Sequence, residues 1–397
     1  MEKNLAVHGG KPVRETYLSY GKQYIDEKDI EEVVKVLKGD YLTTGPSIDE
    51  FEKKVATYVG AKYGVALSNG TAALHAACYA AGIHDNDEVL VSSITFVASA
   101  NCVLYCGGKP VFIDINPKTY NIDVDKIEEK ITHRTKAIIA VDLTGQPVDM
   151  DKIMRIAKKH NLIVIEDAAH ALGAEYKNEK VGKLAHMTEF SFHPVKPVTT
   201  GEGGIVVTNS KEYYEKIKLF RSHGITRDTE IMNKNQGPWY YEQIDLGYNY
   251  RLTDLQCALG ISQMNKIDRF IKRRREIAGI YNEAFKGIEE INIPFEEYFS
   301  KSGWHIYVIL LELDKLNADR KEIFKALQKE NIGVNVHYMP VYLQPYYKEL
   351  GYKKGQCPIA EKVYERMITI PLFPSMTDED IQSVITAINK VLNYYRK

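Results

Sequence analysis

An α/β fold, built on a mostly parallel central sheet with a smaller C-terminal α+β domain, follows from three observations. Runs such as "KAIIAVDL" and "LIVIEDA" are continuously apolar, as strands buried on both faces must be. These runs alternate with helical stretches long enough to form βαβ crossovers. After residue 260 the texture changes, and a long helical stretch leads into a strand–helix–strand pattern. The expected division is a large domain over residues 1–260, including an N-terminal segment, and a connector helix plus small domain over residues 261–397.

Taken in order, "EKDIEEVVKVLKG" and "PSIDEFEKKVATYVG" are amphipathic helices stopped by Gly39 and Gly60. "YGVALS", "DEVLVSS", "PVFIDI", "KAIIAVDL" and "LIVIEDA" read as strands. Between them "GTAALHAACYAAG", "FVASANCVLYCGG", "DVDKIEEKI" and "DMDKIMRIAKKH" read as helices. "EFSF" and "GIVVT" are two further short strands. A helical region is expected from near Leu252 to about Phe285, followed by strand "WHIYVILLEL", helix "DRKEIFKALQKE" and strand "IGVNVHY". "DEDIQSVITAINKVLNYY" closes the chain as a helix.

The chain has 397 residues and a net charge of −1, so no strong field draws it to nucleic acid or to an acidic membrane surface. No apolar stretch is long enough to span a membrane, and "MEKNLAVHGGKPV" lacks a signal-peptide core, so a cytoplasmic location is expected. The five cysteines are widely spread, and Cys102 and Cys106 read as core thiols rather than metal ligands. No metal site is expected. The basic run "KRRRE" at 272–276 reads as a solvated helix face or a diphosphate-facing edge.

Three loops lie at the carboxyl ends of strands, where open parallel sheets bind ligands. In "SNGTAAL", Asn69 and Gly70 turn the chain and Thr71 starts a helix, whose exposed amides suit a phosphate or simply need a cap. In "IEDAAHALGA", Asp167 ends an apolar strand, where a carboxylate needs a partner or a capping role. In "FSFHPVKPVTTGEGG", Lys196 stands between two prolines in the gap between two strands, away from the usual exposed helix face. It is either a surface loop lysine or a functional amine. Together the three suit a cofactor with a phosphate, a ring nitrogen and an aldehyde. The phosphate would meet Gly70, Thr71 and Ser191, the nitrogen Asp167, and the aldehyde would form an imine with Lys196. That cofactor is pyridoxal 5′-phosphate.

"FHPVKPVTTGEGG", with "SNGTAAL", "TFVASAN", "EDAAHALGA" and "LGYNYRLTDLQCALG" in matching order, resembles the DegT-type sugar aminotransferases of the fold-type-I pyridoxal-phosphate class. The resemblance covers nearly the whole chain. It implies that Lys196 carries the cofactor and shuttles the proton, that Asp167 pairs with the pyridine nitrogen, and that Phe96 stacks on the ring. It implies that Thr71, Ser191 and the backbone after Gly70 hold the phosphate. His170 stands where many relatives carry Gln beside the ring hydroxyl. Asn249 matches a residue that reaches the phosphate of a neighbouring subunit, which implies a homodimer. A lysine rather than a histidine at 196 implies transamination rather than sugar dehydration.

"FRSHGIT", "GPWYY" and "VHYMPVYLQPYY" look like family members that act on UDP-linked 4-keto-6-deoxy-N-acetylhexosamines with L-glutamate as donor, in pseudaminic-acid-type biosynthesis. The same likeness implies a sugar-nucleotide pocket lined by Tyr20, Asp40, Tyr41, Leu42, Thr43, His337, Tyr338, Met339 and Pro340. Other nucleotide-linked 4-keto sugars, dTDP- or UDP-linked, are alternative acceptors. A catalytically silent regulator on the same fold and a nicotinamide enzyme are readings of other kinds. The nicotinamide reading lacks a G-x-G-x-x-G after the first strand.

Overall fold

The computed structural model of the protein describes residues 4–397. Seven strands form the central sheet: β1 (Tyr63–Leu67), β2 (Glu88–Ser92), β3 (Lys109–Ile113), β4 (Thr135–Val141), β5 (Ile163–Asp167), β6 (Met187–Ser191) and β7 (Gly204–Thr208). Their spatial order is β1-β7-β6-β5-β4-β2-β3. The pairings among β2 to β6 are parallel, and β7 alone runs antiparallel to both its neighbours. Six carboxyl ends therefore share one edge of the sheet.

The unbroken apolar runs are explained by burial on both faces, since every residue of β2 and of β7 is buried. Alternate residues face opposite layers. Val89 and Val91 pack with helices α3 (Gly70–Ala80) and α4 (Ala98–Tyr105), whereas Leu90 packs with α5 (Met150–His160). Further along the sheet, Phe190 and Ile205 pack against α2 (Pro46–Val59), α7 (Asp254–Met264) and Ile271 of α8 (Ile267–Phe285). A separate antiparallel sheet joins β8 (Ile291–Asn292), β9 (Tyr307–Leu311) and β10 (Met367–Ile370). Its core includes Tyr281 and Phe285 of α8, with α9 (Arg320–Lys329) and α12 (Asp378–Tyr395).

The N-terminal segment is strapped onto this second core. Glu330 accepts hydrogen bonds from the amides of Ala6 and Val13, both at 2.9 Å, and Leu18 forms a bridge with Ile332. The Tyr20 carbonyl accepts from the amide of Leu372.

Three expected elements differ. "DVDKIEEKI" forms two short 3₁₀ turns, Val124–Lys126 and Glu128–Lys130, because Asp123 caps the first turn and only Ile127 is fully buried, with Val124 and Ile131 packed at the core's margin. The long helical region is two helices broken at Asn265–Lys266, where Lys266 is drawn to Asp26 and Asp29, both at 2.7 Å. "IGVNVHY" makes no regular strand. Its backbone is shared among separate partners, with Gly333 bonded to Leu18 and Asn335 to Thr369.

The basic run is also used differently from the solvated face expected of it. Arg274 is 1% exposed, and its Nη1 donates to the carbonyls of Trp304, His305 and Leu372 at 3.0–3.2 Å. It thereby ties α8 to the segments that lead into and out of the second sheet. Arg274→Met removes these donors and leaves three buried carbonyls unpaired. It should cost about 2–4 kcal/mol, read as a lower urea midpoint with an unchanged slope. An unchanged midpoint would show that the clamp adds nothing to stability.

Candidate active site

The shared carboxyl edge of the sheet opens into a cavity of about 900 Å³. Three local features bring the chain there. After β1, Asn69 caps α3 by accepting from the amide of Ala72 at 2.8 Å, and Gly70 and Thr71 line the cavity at the first turn. Those first amides have no partner within the helix. Glycine is required at Gly70, because a Cβ there would stand 2.6 Å from Glu189 Oε1 and 3.1 Å from Ser191 Cβ. Gly204, at the start of β7, passes so close behind that a Cβ would meet the Asn69 carbonyl at 2.4 Å.

The second feature is the end of β5. Asp167 is 5% exposed, and its Oδ2 accepts from Ser99 Oγ at 2.5 Å while Oδ1 accepts from the Ala169 amide at 3.2 Å. Ser99 is in turn bonded to Thr95 Oγ1 at 2.7 Å. The carboxylate is therefore fixed in direction, and no cation among the described residues is bonded to it.

The third is the loop between β6 and β7. The Phe192 carbonyl accepts from the Thr200 amide and the Thr199 hydroxyl at 3.0 and 3.1 Å, which closes the loop. Buried Val198, Thr199 and Thr200 anchor it, and Lys196 projects into the cavity. Loss of solvent lowers the Lys196 ammonium to about 8, against the pull of whichever of the Glu189 and Asp167 carboxyls is ionised.

His170 and His305 are both buried, with ring centroids 4.3 Å apart and an unpartnered Nδ1 on each. Desolvation and the nearby Lys196 lower both imidazoles well below the usual range, so they are neutral. His337 is lowered to about 4 by burial, and its Nδ1 is 2.9 Å from Thr369 Oγ1. Tyr338 reaches His170 Nε2 at 3.4 Å and lies 5.9 Å, centroid to centroid, from Phe96.

Of the residues singled out in the sequence, Tyr20, Gly70, Thr71, Phe96, Asp167, His170, Ser191, Lys196, His337 and Tyr338 line this one cavity. Met339 and Pro340 do not. Asp40, Tyr41, Leu42 and Thr43 are exposed outside it, because Leu42 and Thr43 are bound to Asp254 and Thr253 at the start of α7. Asn249 is exposed and also lies outside the cavity of its own chain. It does not cap α7, since Thr253 does so with Gln256 in a reciprocal capping box. Ser99, Glu189, His305 and Asn335 were not singled out. An acid inside the apolar run "TEFSF" was a readable signal for Glu189, whereas His305 reaches the site only through tertiary packing.

A mostly parallel sheet with a half-buried lysine, a fixed carboxylate and a helix start at its carboxyl edge defines an aminotransferase of fold type I. Residues 23–389 match the model of the DegT/DnrJ/EryC1/StrS aminotransferase family, and the chain belongs to that family. It is 40% identical over 385 residues to UDP-4-amino-4,6-dideoxy-N-acetyl-beta-L-altrosamine transaminase of Campylobacter jejuni, covering 96% of this chain and 99% of that one. Among solved structures it is similar to Helicobacter pylori PseC, an aminotransferase involved in the biosynthesis of pseudoaminic acid. That match has a TM-score of 0.90 at 34% identity and covers 96% of this chain and 100% of the other. It is also similar to the PLP-form of a putative sugar aminotransferase, Spr1654, from Streptococcus pneumoniae. There the TM-score is 0.88 at 30% identity, over 95% and 99% of the two chains.

The free amine, not the ammonium, attacks a carbonyl, so reaction of Lys196 with an aldehyde should accelerate as pH rises and level off above about 8. Stopped-flow absorbance of the full chain mixed with an aromatic aldehyde measures this. A midpoint near that of an ordinary lysine would mean that Lys196 is fully solvated.

Proposed function

We propose that this cavity binds pyridoxal 5′-phosphate. We further propose that the enzyme moves an amino group from L-glutamate to C4 of a UDP-linked 4-keto-6-deoxy-N-acetylhexosamine, in pseudaminic-acid-type nucleotide-sugar biosynthesis. The observation that carries the reading is the convergence of Lys196, Asp167 and the first turn of α3 on one cavity. The residues fit the cofactor. Gly70 leaves a cradle that a Cβ would close, Ser191 lies beside it, and Asp167 offers a carboxylate to which no cation among the described residues is bonded. The names of the C. jejuni and H. pylori relatives support a sugar acceptor of this kind.

Bound there, the cofactor supplies an electron-withdrawing ring that stabilises negative charge on the carbon next to the transferred nitrogen. The chain supplies the rest. Asp167, held by Ser99 and the Ala169 amide, keeps a negative charge where a ring nitrogen needs its proton. Lys196 Nζ takes and returns the proton at the reacting carbon, and its lowered proton affinity suits it to both directions near neutral pH. His170, neutral and beside Tyr338, offers a hydrogen bond without adding charge. Tyr20 and His337, with ring centroids 5.2 Å apart, form the side of the cavity from which a sugar approaches.

Glutamate should leave as 2-oxoglutarate before the keto sugar enters. Parallel double-reciprocal plots with UDP-linked 4-keto-6-deoxy sugars support this order, whereas intersecting plots require a ternary complex. Lys196→Ala should lower kcat at least about 10³-fold while thermal unfolding stays within a few degrees of wild type. Asp167→Asn should keep the cofactor bound, followed by absorbance, and lose most of kcat. Near-native turnover in either variant removes that residue from the chemistry.

The active unit is proposed to be a homodimer in which Asn249 serves the partner's site. Asn249 is free of the helix cap, and the stretch of chain that leads to it carries Trp239 and Leu246, each 71% exposed. Lys196→Ala and Asn249→Ala chains, refolded together, should give heterodimers with one site carrying both lesions and one carrying neither. Activity should reappear in the mixture. Verified heterodimers without that gain would confine Asn249 to its own chain.

A further inference from the structure

We propose that Glu189 is a positioning residue of the cofactor site that remains a neutral carboxylic acid beside Asp167, so that the cavity presents one carboxylate rather than two. This rests on the reading of the cavity as a pyridoxal phosphate site. Glu189 and Asp167 are directly paired residues of the parallel strands β6 and β5, and both line the cavity. Glu189 is 0% exposed, and among the described residues no amide, hydroxyl or cation donates to its carboxyl oxygens, whereas the Asp167 carboxyl is within hydrogen-bonding reach to accept a proton that Glu189 keeps. Its Oε1 lies against Gly70, at the first turn of α3.

Several other buried acids of the fold are compensated. Glu52 is bonded to Arg221 and to the Ala66 amide. Glu330 is bonded to Lys390 and to two amides. Asp254 accepts from the amides of Gly45 and Ser47. Glu189 has no such donor, and an ionised carboxylate without one is costly to bury.

Most of the groups that face it oppose its ionisation. Asp167 from β5 and Cys102 from α4 oppose ionisation, and burial does so most strongly. Only Lys196, from the β6–β7 loop, favours it, and that amine is itself short of its usual proton affinity. Asp167 already receives the Ser99 hydroxyl and the Ala169 amide, two donors that Glu189 lacks. A neutral Glu189 has consequences on two sides. It leaves the start of α3 free for a phosphate dianion, and it avoids a second negative charge that would hold the Lys196 proton.

Two measurements on the full-length protein test this. The infrared carbonyl stretch of a protonated carboxylic acid, recorded near neutral pH before cofactor is added, should lose one band in Glu189→Gln. Pyridoxal phosphate affinity, followed by absorbance titration near pH 7, should stay within about threefold of wild type in the variant, because a neutral side chain replaces a neutral one. An unchanged infrared band, or an affinity raised about tenfold or more in the variant, overturns the proposal. If Glu189→Gln does not fold, Glu189→Met, neutral and of similar length, carries both arms. If wild type takes up no pyridoxal phosphate at any pH, the cofactor reading fails. The infrared arm still decides the state of Glu189.

Discussion

The site depends on one reversal of direction, the antiparallel entry of β7 between β1 and β6. A parallel strand there would require a crossover, and the chain after β6 would leave the carboxyl edge for the far end of the sheet. Because β7 runs back instead, the connection remains where the ligand-binding crevice of a parallel sheet lies. The loop is closed on the Phe192 carbonyl and held by buried Val198, Thr199 and Thr200. Lys196 is thus carried by a short anchored turn and not by a long mobile one. Gly204 and Gly70 are the steric conditions of this arrangement. One lets β7 pass behind the Asn69–Gly70 turn, and the other leaves room for Glu189 and Ser191 in front of it.

The chemistry of the cavity is set by an imbalance of charge. At the ends of β4, β5 and β6 the buried acids Asp142, Glu166, Asp167 and Glu189 outnumber the one cation among the cavity-lining residues near them, Lys196. Burial raises Asp142, while Glu166 is pushed up to about 7 and bonded to Thr188. Protons must therefore be held within the sheet edge itself. Asp167 is held by the Ser99 hydroxyl and the Ala169 amide, which fix its direction within this group.

The strands and the three loops at their carboxyl ends were legible because period and turn chemistry are local signals. "SNGTAAL", "IEDAAHALGA" and the Lys196 loop each carry their meaning within a few residues. The break between α7 and α8 was not legible, because it depends on Lys266 meeting Asp26 and Asp29, more than two hundred positions earlier. Arg274 looked like one of a solvated basic run. Its burial depends on three carbonyls that only the folded chain brings together. Likewise, no local pattern marks Ser99 as the residue that orients Asp167, or His305 as the neighbour of His170.

The strapping of the N-terminal segment has a consequence in time. Tyr20 is made before any strand of the central sheet, yet the groups that hold its segment are Glu330, Ile332 and Leu372. Synthesis must run more than three hundred residues beyond Tyr20 before the first of these anchors exists. Until then the wall of the cavity nearest His337 is missing, although the sheet bearing Lys196 and Asp167 has already been synthesised. The pocket is thus closed by two stretches of polypeptide made far apart in time.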